Sequence, residues 1–243
     1  SHLLSTLLGL GAFVGLAHTA PQTTPAGAFC AFTCALLLWG WHELSFLTGW
    51  VTGPRQQAAD PGVHGWPRFV QAVQAILWHE LAILASGLLI VAITWGAANQ
   101  VGTQTFAVLW VMRISAKLNV FLGVRNLSIE LLPPHLAYLA SFFRKRAMNL
   151  LFPVSVSAST VVAVWMVNEA LDSAAGSARA IGLLLVATLL WLAILEHWLL
   201  VLPLQATALW QWAMRNRDGA AAAEPEPLVI APMDSDEKLL HAR

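Results

Sequence analysis

Apolar runs near bilayer length recur along this chain, and three of them carry ionisable residues side by side. Trp41-His42-Glu43 sits in one run, Trp78-His79-Glu80 in a second, and Glu196-His197-Trp198 sets the same two residue types in reverse order in the last. A charged group in hydrocarbon costs ~2.5 to 3.5 kcal/mol on insertion scales, so one that persists there faces a bundle interior and marks a site. Composition fixes the class: hydrophobic residues make up 58%, charged residues 11%, tryptophan numbers 12, and mean hydropathy is +0.66. Soluble domains carry about 25% charged residues, so the expected fold is an all-α integral membrane protein. The zero net charge supplies no basic footprint for nucleic acid.

About 20 apolar residues cross ~30 Å of hydrocarbon. That criterion predicts six spans: a short one over 3–17, then 26–52, 69–95, 103–123, 150–167 and a long helix over 180–214 that overshoots after Pro203. Residues 124–149 are too polar to cross. They hold Leu131-Leu-Pro-Pro-His135 and an amphipathic piece ending in Arg144-Lys145-Arg146, and read as a cytoplasmic amphipathic or re-entrant segment. The domain reading is a bundle over 1–218 and a disordered cytoplasmic tail over 219–243, rich in Ala, Pro and acid. The chain starts at Ser1, and no basic segment precedes the first run, so a signal peptide is not expected. Cys30 and Cys34, four apart on one helical face, read as packing residues rather than a disulfide or metal clip.

Lys and Arg alternate between the connections. Residues 18–25 and 96–102 have none and 168–179 has only Arg179, whereas the opposite connections hold Arg55, Arg68, Arg125, Arg144, Lys145, Arg146, Arg215 and Arg217. The positive-inside rule puts the second set, with both chain ends, in the cytoplasm. His42 and His79 then lie ~15 Å deep at 1.5 Å per residue, and Glu196 is expected near the middle of its helix. Trp210 and Trp212 suit interfacial anchors. Ser155, Ser157, Ala158 and Ser159 suit close helix packing.

One constellation could gather Glu43, Glu80, Glu130 and Glu196 with His42, His79, His135 and His197. Carboxylates and imidazoles from separate helices are the ligand inventory of a dinuclear iron or manganese site in a bundle. Soluble examples place Glu-x-x-His on one helical face, whereas the adjacent pairs here stand about 100° apart, given 3.6 residues per turn. A second reading has His42, His79 or His197 as axial ligand to a chlorin magnesium or a haem iron. In a third, Arg113 and Lys117 neutralise the glutamates in a structural network. Two functional classes follow: a non-enzymatic factor that handles pigment or membrane polypeptides, and a di-metal oxidoreductase acting on a tetrapyrrole or lipid-soluble substrate.

Several strings carry a resemblance. Trp41-His42-Glu43 through Gly49, Trp78-His79-Glu80, Arg113 through Asn126 with Lys117, Asn119 and Gly123, Leu131 to Leu136, and Leu151-Phe-Pro153 look like the PuhE-type photosynthetic complex assembly proteins. The likeness covers about 26–212, and the string from Lys117 to Asn126 is its most specific part. The resemblance implies a protein of the purple-bacterial inner membrane that serves assembly of the reaction centre and core antenna or their bacteriochlorophyll supply. Reaction-centre or core-antenna polypeptides, pigment and membrane lipid are then the partners. It also implies one further helix ahead of residue 1, and it carries over no catalytic residue.

Overall fold

The computed structural model of the chain describes residues 2–203. Trp210, Trp212, Arg215, Arg217 and the expected tail over 219–243 lie outside them. Six α-helices follow one another: α1 His2–Thr19, α2 Pro25–Leu47, α3 Gly65–Thr94, α4 Val101–Leu122, α5 Leu151–Asp172 and α6 Ala178–Val201. All six are long and apolar enough to cross a membrane. Among the described residues there is no β-strand, only an isolated bridge between Val124 and Lys145. The protein is a multi-pass helical membrane bundle.

α2, α4 and α6 pack on one another at the centre, α1 lies along α2, α5 along α6, and α3 rests mainly on α4. Small residues let the central helices approach: Ala28, Ala31 and Ala35 of α2 are buried with Val186, Ala187 and Leu190 of α6. Apolar contact between helices competes with equally apolar lipid, so closeness of backbones drives association. The outward faces keep exposed Leu and Val, and Trp66 and Trp95 stand 73% and 81% exposed at the two ends of α3, where interfacial tryptophans belong.

At 1.5 Å per residue the 30 residues of α3 reach about 45 Å, more than the ~30 Å of hydrocarbon. Its first turns therefore project beyond the others, at the end of the bundle where α2, α4 and α6 finish. That projection meets the segment 124–149, which forms a 3₁₀ turn at Ile129–Leu131 and a 3₁₀ stretch at Pro134–Phe142. Leu136, Leu139 and Phe142 bury against Phe46 of α2 and Ala75 of α3. The segment is thus a lid across this end of the bundle. Arg68 fastens it, donating from Nη2 to the Ser141 carbonyl at 3.1 Å with its guanidinium 5.0 Å from the Phe121 ring centre.

α3 begins at Gly65 rather than at 69 and α5 runs to Asp172 rather than to 167, while two helices stop short of the sequence reading. α2 stops at Leu47 rather than at 52, because Gly49 turns the chain at φ +76° and the Ser45 carbonyl accepts from both Trp50 and Val51 N–H. Glycine takes that left-handed backbone without the Cβ penalty. The released strand then lies on α3, with the His79 N–H donating to the Thr52 carbonyl at 2.9 Å. Gly53 makes this possible, since a Cβ there would stand 2.0 Å from the Gln74 carbonyl oxygen. α6 ends at Val201, with Leu202 extended at ψ 142°, the conformation that a following proline imposes on its neighbour; the expected helix beyond it, to 214, lies outside the described residues.

Candidate functional site

The three His-Glu pairs come to one level near the lid end of the bundle. Glu196 lies five residues before the end of α6, not at its middle, because that helix stops at Val201. Adjacent residues on a helix point about 100° apart, and the structure uses this to separate the two chemistries. Histidines turn inward: His42 and His79 are 1% exposed and His197 0%. Glutamates turn toward the neighbouring helix and meet cations.

Both cations come from α4. Arg113 Nη2 donates to Glu43 Oε2 at 3.0 Å, and its Nη1 stands 3.7 Å from Glu196 Oε1. Lys117, one turn on, donates from Nζ to Glu80 Oε1 at 2.5 Å, while Trp110 Nε1 donates to Glu80 Oε2 at 3.4 Å. One helix therefore links α2, α3 and α6 through its two positive charges. In a bilayer such pairs replace solvation that lipid cannot give.

The histidines are held separately. His42 Nε2 is 2.9 Å from Ser86 Oγ of α3. His197 Nδ1 faces the Ala193 carbonyl at 2.8 Å, and its Nε2 is 2.9 Å from Ser115 Oγ. A carbonyl only accepts, so Nδ1 carries a proton. Ser115 in turn lies 2.9 Å from Ser155, so the small residues of α5 contribute a hydroxyl as well as closeness. His79 differs, because neither ring nitrogen has a hydrogen-bond partner among the described residues. Its ring packs 4.6 Å from that of Phe46 and 6.5 Å from that of His42.

Glu130 and His135 do not join this level. Glu130 is exposed on the 3₁₀ turn, and His135 Nε2 donates to the Leu47 carbonyl at 3.0 Å, closing the open end of α2. Among the described residues no three His, Cys, Asp or Glu side chains converge as a metal-holding group. The donor set as arranged does not fit a dinuclear centre: the carboxylates sit on cations instead of on one another. Cys30 and Cys34 are free thiols.

Sequence reasoning passed over three asparagines that tie helix ends together. Asn149 donates to the Gly123 carbonyl and to Asn119, while its Oδ1 accepts from Leu151 and Phe152 N–H at the start of α5. Asn126 donates to the Leu199 and Leu202 carbonyls, capping α6. At the opposite end Asn99 spans the Thr19 and Gly27 carbonyls and the Val101 N–H. Gly123 at φ +127° starts the turn that brings Asn126 to α6.

A family model described as a protein of unknown function (DUF3623) matches residues 1–221. The chain belongs to that family. It is 38% identical over 232 residues to an uncharacterized 30.4 kDa protein in the puhA 5′ region of Rhodobacter capsulatus, covering 94% of this chain and 84% of that protein. No solved structure matches. For this DUF3623 member the string from Lys117 to Asn126 has a physical role. It supplies the α3 ion pair, the Asn119 bridge to α5, the turn at Gly123 and the cap on α6.

Proposed function

We propose that this protein is an inner-membrane factor for assembly of a bacterial photosynthetic complex, acting on reaction-centre or core-antenna polypeptides or on the bacteriochlorophyll supplied to them. The observation that carries this reading is the likeness, over 94% of this chain, to the protein in the puhA 5′ region, which agrees with the PuhE-type strings in the sequence. The ion pairs and histidine hydrogen bonds serve as the internal frame of the factor. Deleting the gene in its phototrophic host should lower the near-infrared absorbance of the assembled core complex while pigment synthesis continues. Unchanged complex yield would overturn the reading.

Orientation follows from the basic lid end. Arg55, Arg125, Arg144, Lys145 and Arg146 belong to its connections and face the cytoplasm by the positive-inside rule. A reporter at Ala59 should therefore read cytoplasm and one at Ala174 periplasm; the opposite pair of signals would invert the molecule. A second reading rests on His79 alone, since a buried imidazole with both nitrogens free is where a metal or a metal-centred pigment would find a ligand. Metal and pigment content of protein purified from its native membrane decides it.

A further inference from the structure

Two neighbouring cavities that share Leu189 follow one another between α2 and α6, an apolar one and a charged one that α4 also walls. On α2 they are lined by Phe29, Phe32 and Leu36, then by Trp39 and Glu43. Those spacings of three and four place all five on one helical face. On α6 the stripe runs from Ile181 through Leu185, Thr188 and Leu192 to Glu196. The apolar part encloses about 520 Å³ and the charged end about 260 Å³, and Leu189 borders both. From Ile181 to Glu196 the track is about 22 Å long at 1.5 Å per residue, enough for the ~15 Å that one leaflet contributes to the hydrocarbon.

The charged end is incomplete. Glu43 and Glu196 bring two negative charges against the single positive charge of Arg113. Glu196, which lines this end, is 53% exposed, whereas Glu43 is 20% exposed against its arginine. We propose that the two cavities together hold one aminophospholipid, with an acyl chain along the apolar track and its head against Glu43, Arg113 and Glu196. A primary ammonium donates to Glu196, the carboxylate that stands open at this end, and supplies the second positive charge beside Arg113. An anionic head would add a negative charge beside two carboxylates. A trimethylammonium head has no N–H to donate, and a quinone head, with acceptors alone, leaves the Glu196 charge without a partner.

Native mass spectrometry of the full chain in mild detergent, offered phosphatidylethanolamine, phosphatidylcholine and phosphatidylglycerol at equal concentration, tests this. Phosphatidylethanolamine should be retained stoichiometrically and about tenfold over the other two, a difference of about 1.4 kcal/mol. Glu196→Gln, and Thr188→Trp, which fills the track from an exposed position, should each lower that retention to the level of phosphatidylcholine. Val161→Trp, at an equally lipid-facing site on α5, should leave it unchanged. Equal retention of the three lipids, equal loss in Val161→Trp, or capture of a neutral prenyl-tailed amphiphile in their place would overturn the proposal. Should Thr188→Trp fail to accumulate, Glu196→Gln decides by itself.

Discussion

Replacing Lys117 with methionine should lower the melting temperature of the purified protein and its level in the membrane. The substitution keeps the aliphatic stem and removes the charge, so Glu80 loses its 2.5 Å partner while Trp110, at 3.4 Å, offers only a weak neutral donor. Breaking a buried pair from one side costs roughly 3 to 5 kcal/mol, because the surviving charge stays desolvated. Lys117 and Glu80 are 25% and 22% exposed, which puts the loss near the lower figure, ~3 kcal/mol. Removing both charges, as Lys117→Met with Glu80→Gln, should restore most of it. A single Lys117→Met variant that melts like the parent would mean that the pair does not hold α3 to α4.

Asn149→Leu should be at least as damaging, although the two side chains are of similar size. The buried amide joins α4 to α5 from both of its ends: two carbonyl partners on the α4 side and two N–H groups at the start of α5. Leucine leaves the Gly123 carbonyl and the two N–H groups unpaired, while the Asn119 carbonyl keeps the Gly123 N–H; the cost is about 1 to 3 kcal/mol for each group that water cannot reach, and a helix cap worth about 1 kcal/mol is lost. A total loss of ~3 kcal/mol is expected, with faster trypsin cleavage at Arg144, Lys145 and Arg146 as the lid comes away from α4. Asn149→Asp, which keeps the cap oxygens but not the amide donors, should fall between the two. Parent-like cleavage in Asn149→Leu would show that the lid is secured by its apolar contacts alone.

The spans and the common level of the three His-Glu pairs were legible because hydropathy and the cost of charge in lipid are local properties of the sequence. Arg113 and Lys117 stand four apart on one run, so their role as counter-charges was legible too. The helix ends were harder. That α2 yields at Leu47 depends on Gly49 and on a strand that α3 accepts at Gly53, which is a tertiary event with only two glycines to announce it. The stop at Val201 could have been read from Pro203, had the proline rule been weighed above the apolar run that continues past it. Asn149 carried a usable signal as a capping residue just ahead of an apolar run. Its second duty, toward Gly123, belongs to the fold alone. His135 shows the limit of spacing arguments, since a histidine after a Pro-Pro break serves equally well to close a neighbouring helix.

That both cations reside on α4 has a consequence for how the chain is made. Helices enter the bilayer in sequence order, so α4 arrives with two positive charges, about 5 to 7 kcal/mol of insertion penalty if it met lipid by itself. The carboxylates of Glu43 and Glu80 are already in place on α2 and α3 when it arrives, so these three segments must leave the insertion machinery together. Glu196 comes last in the sequence, and stands 3.7 Å from an arginine that Glu43 holds at 3.0 Å. The order of charges along the polypeptide thus brings the carboxylates of α2 and α3 ahead of the α4 cations that they neutralise.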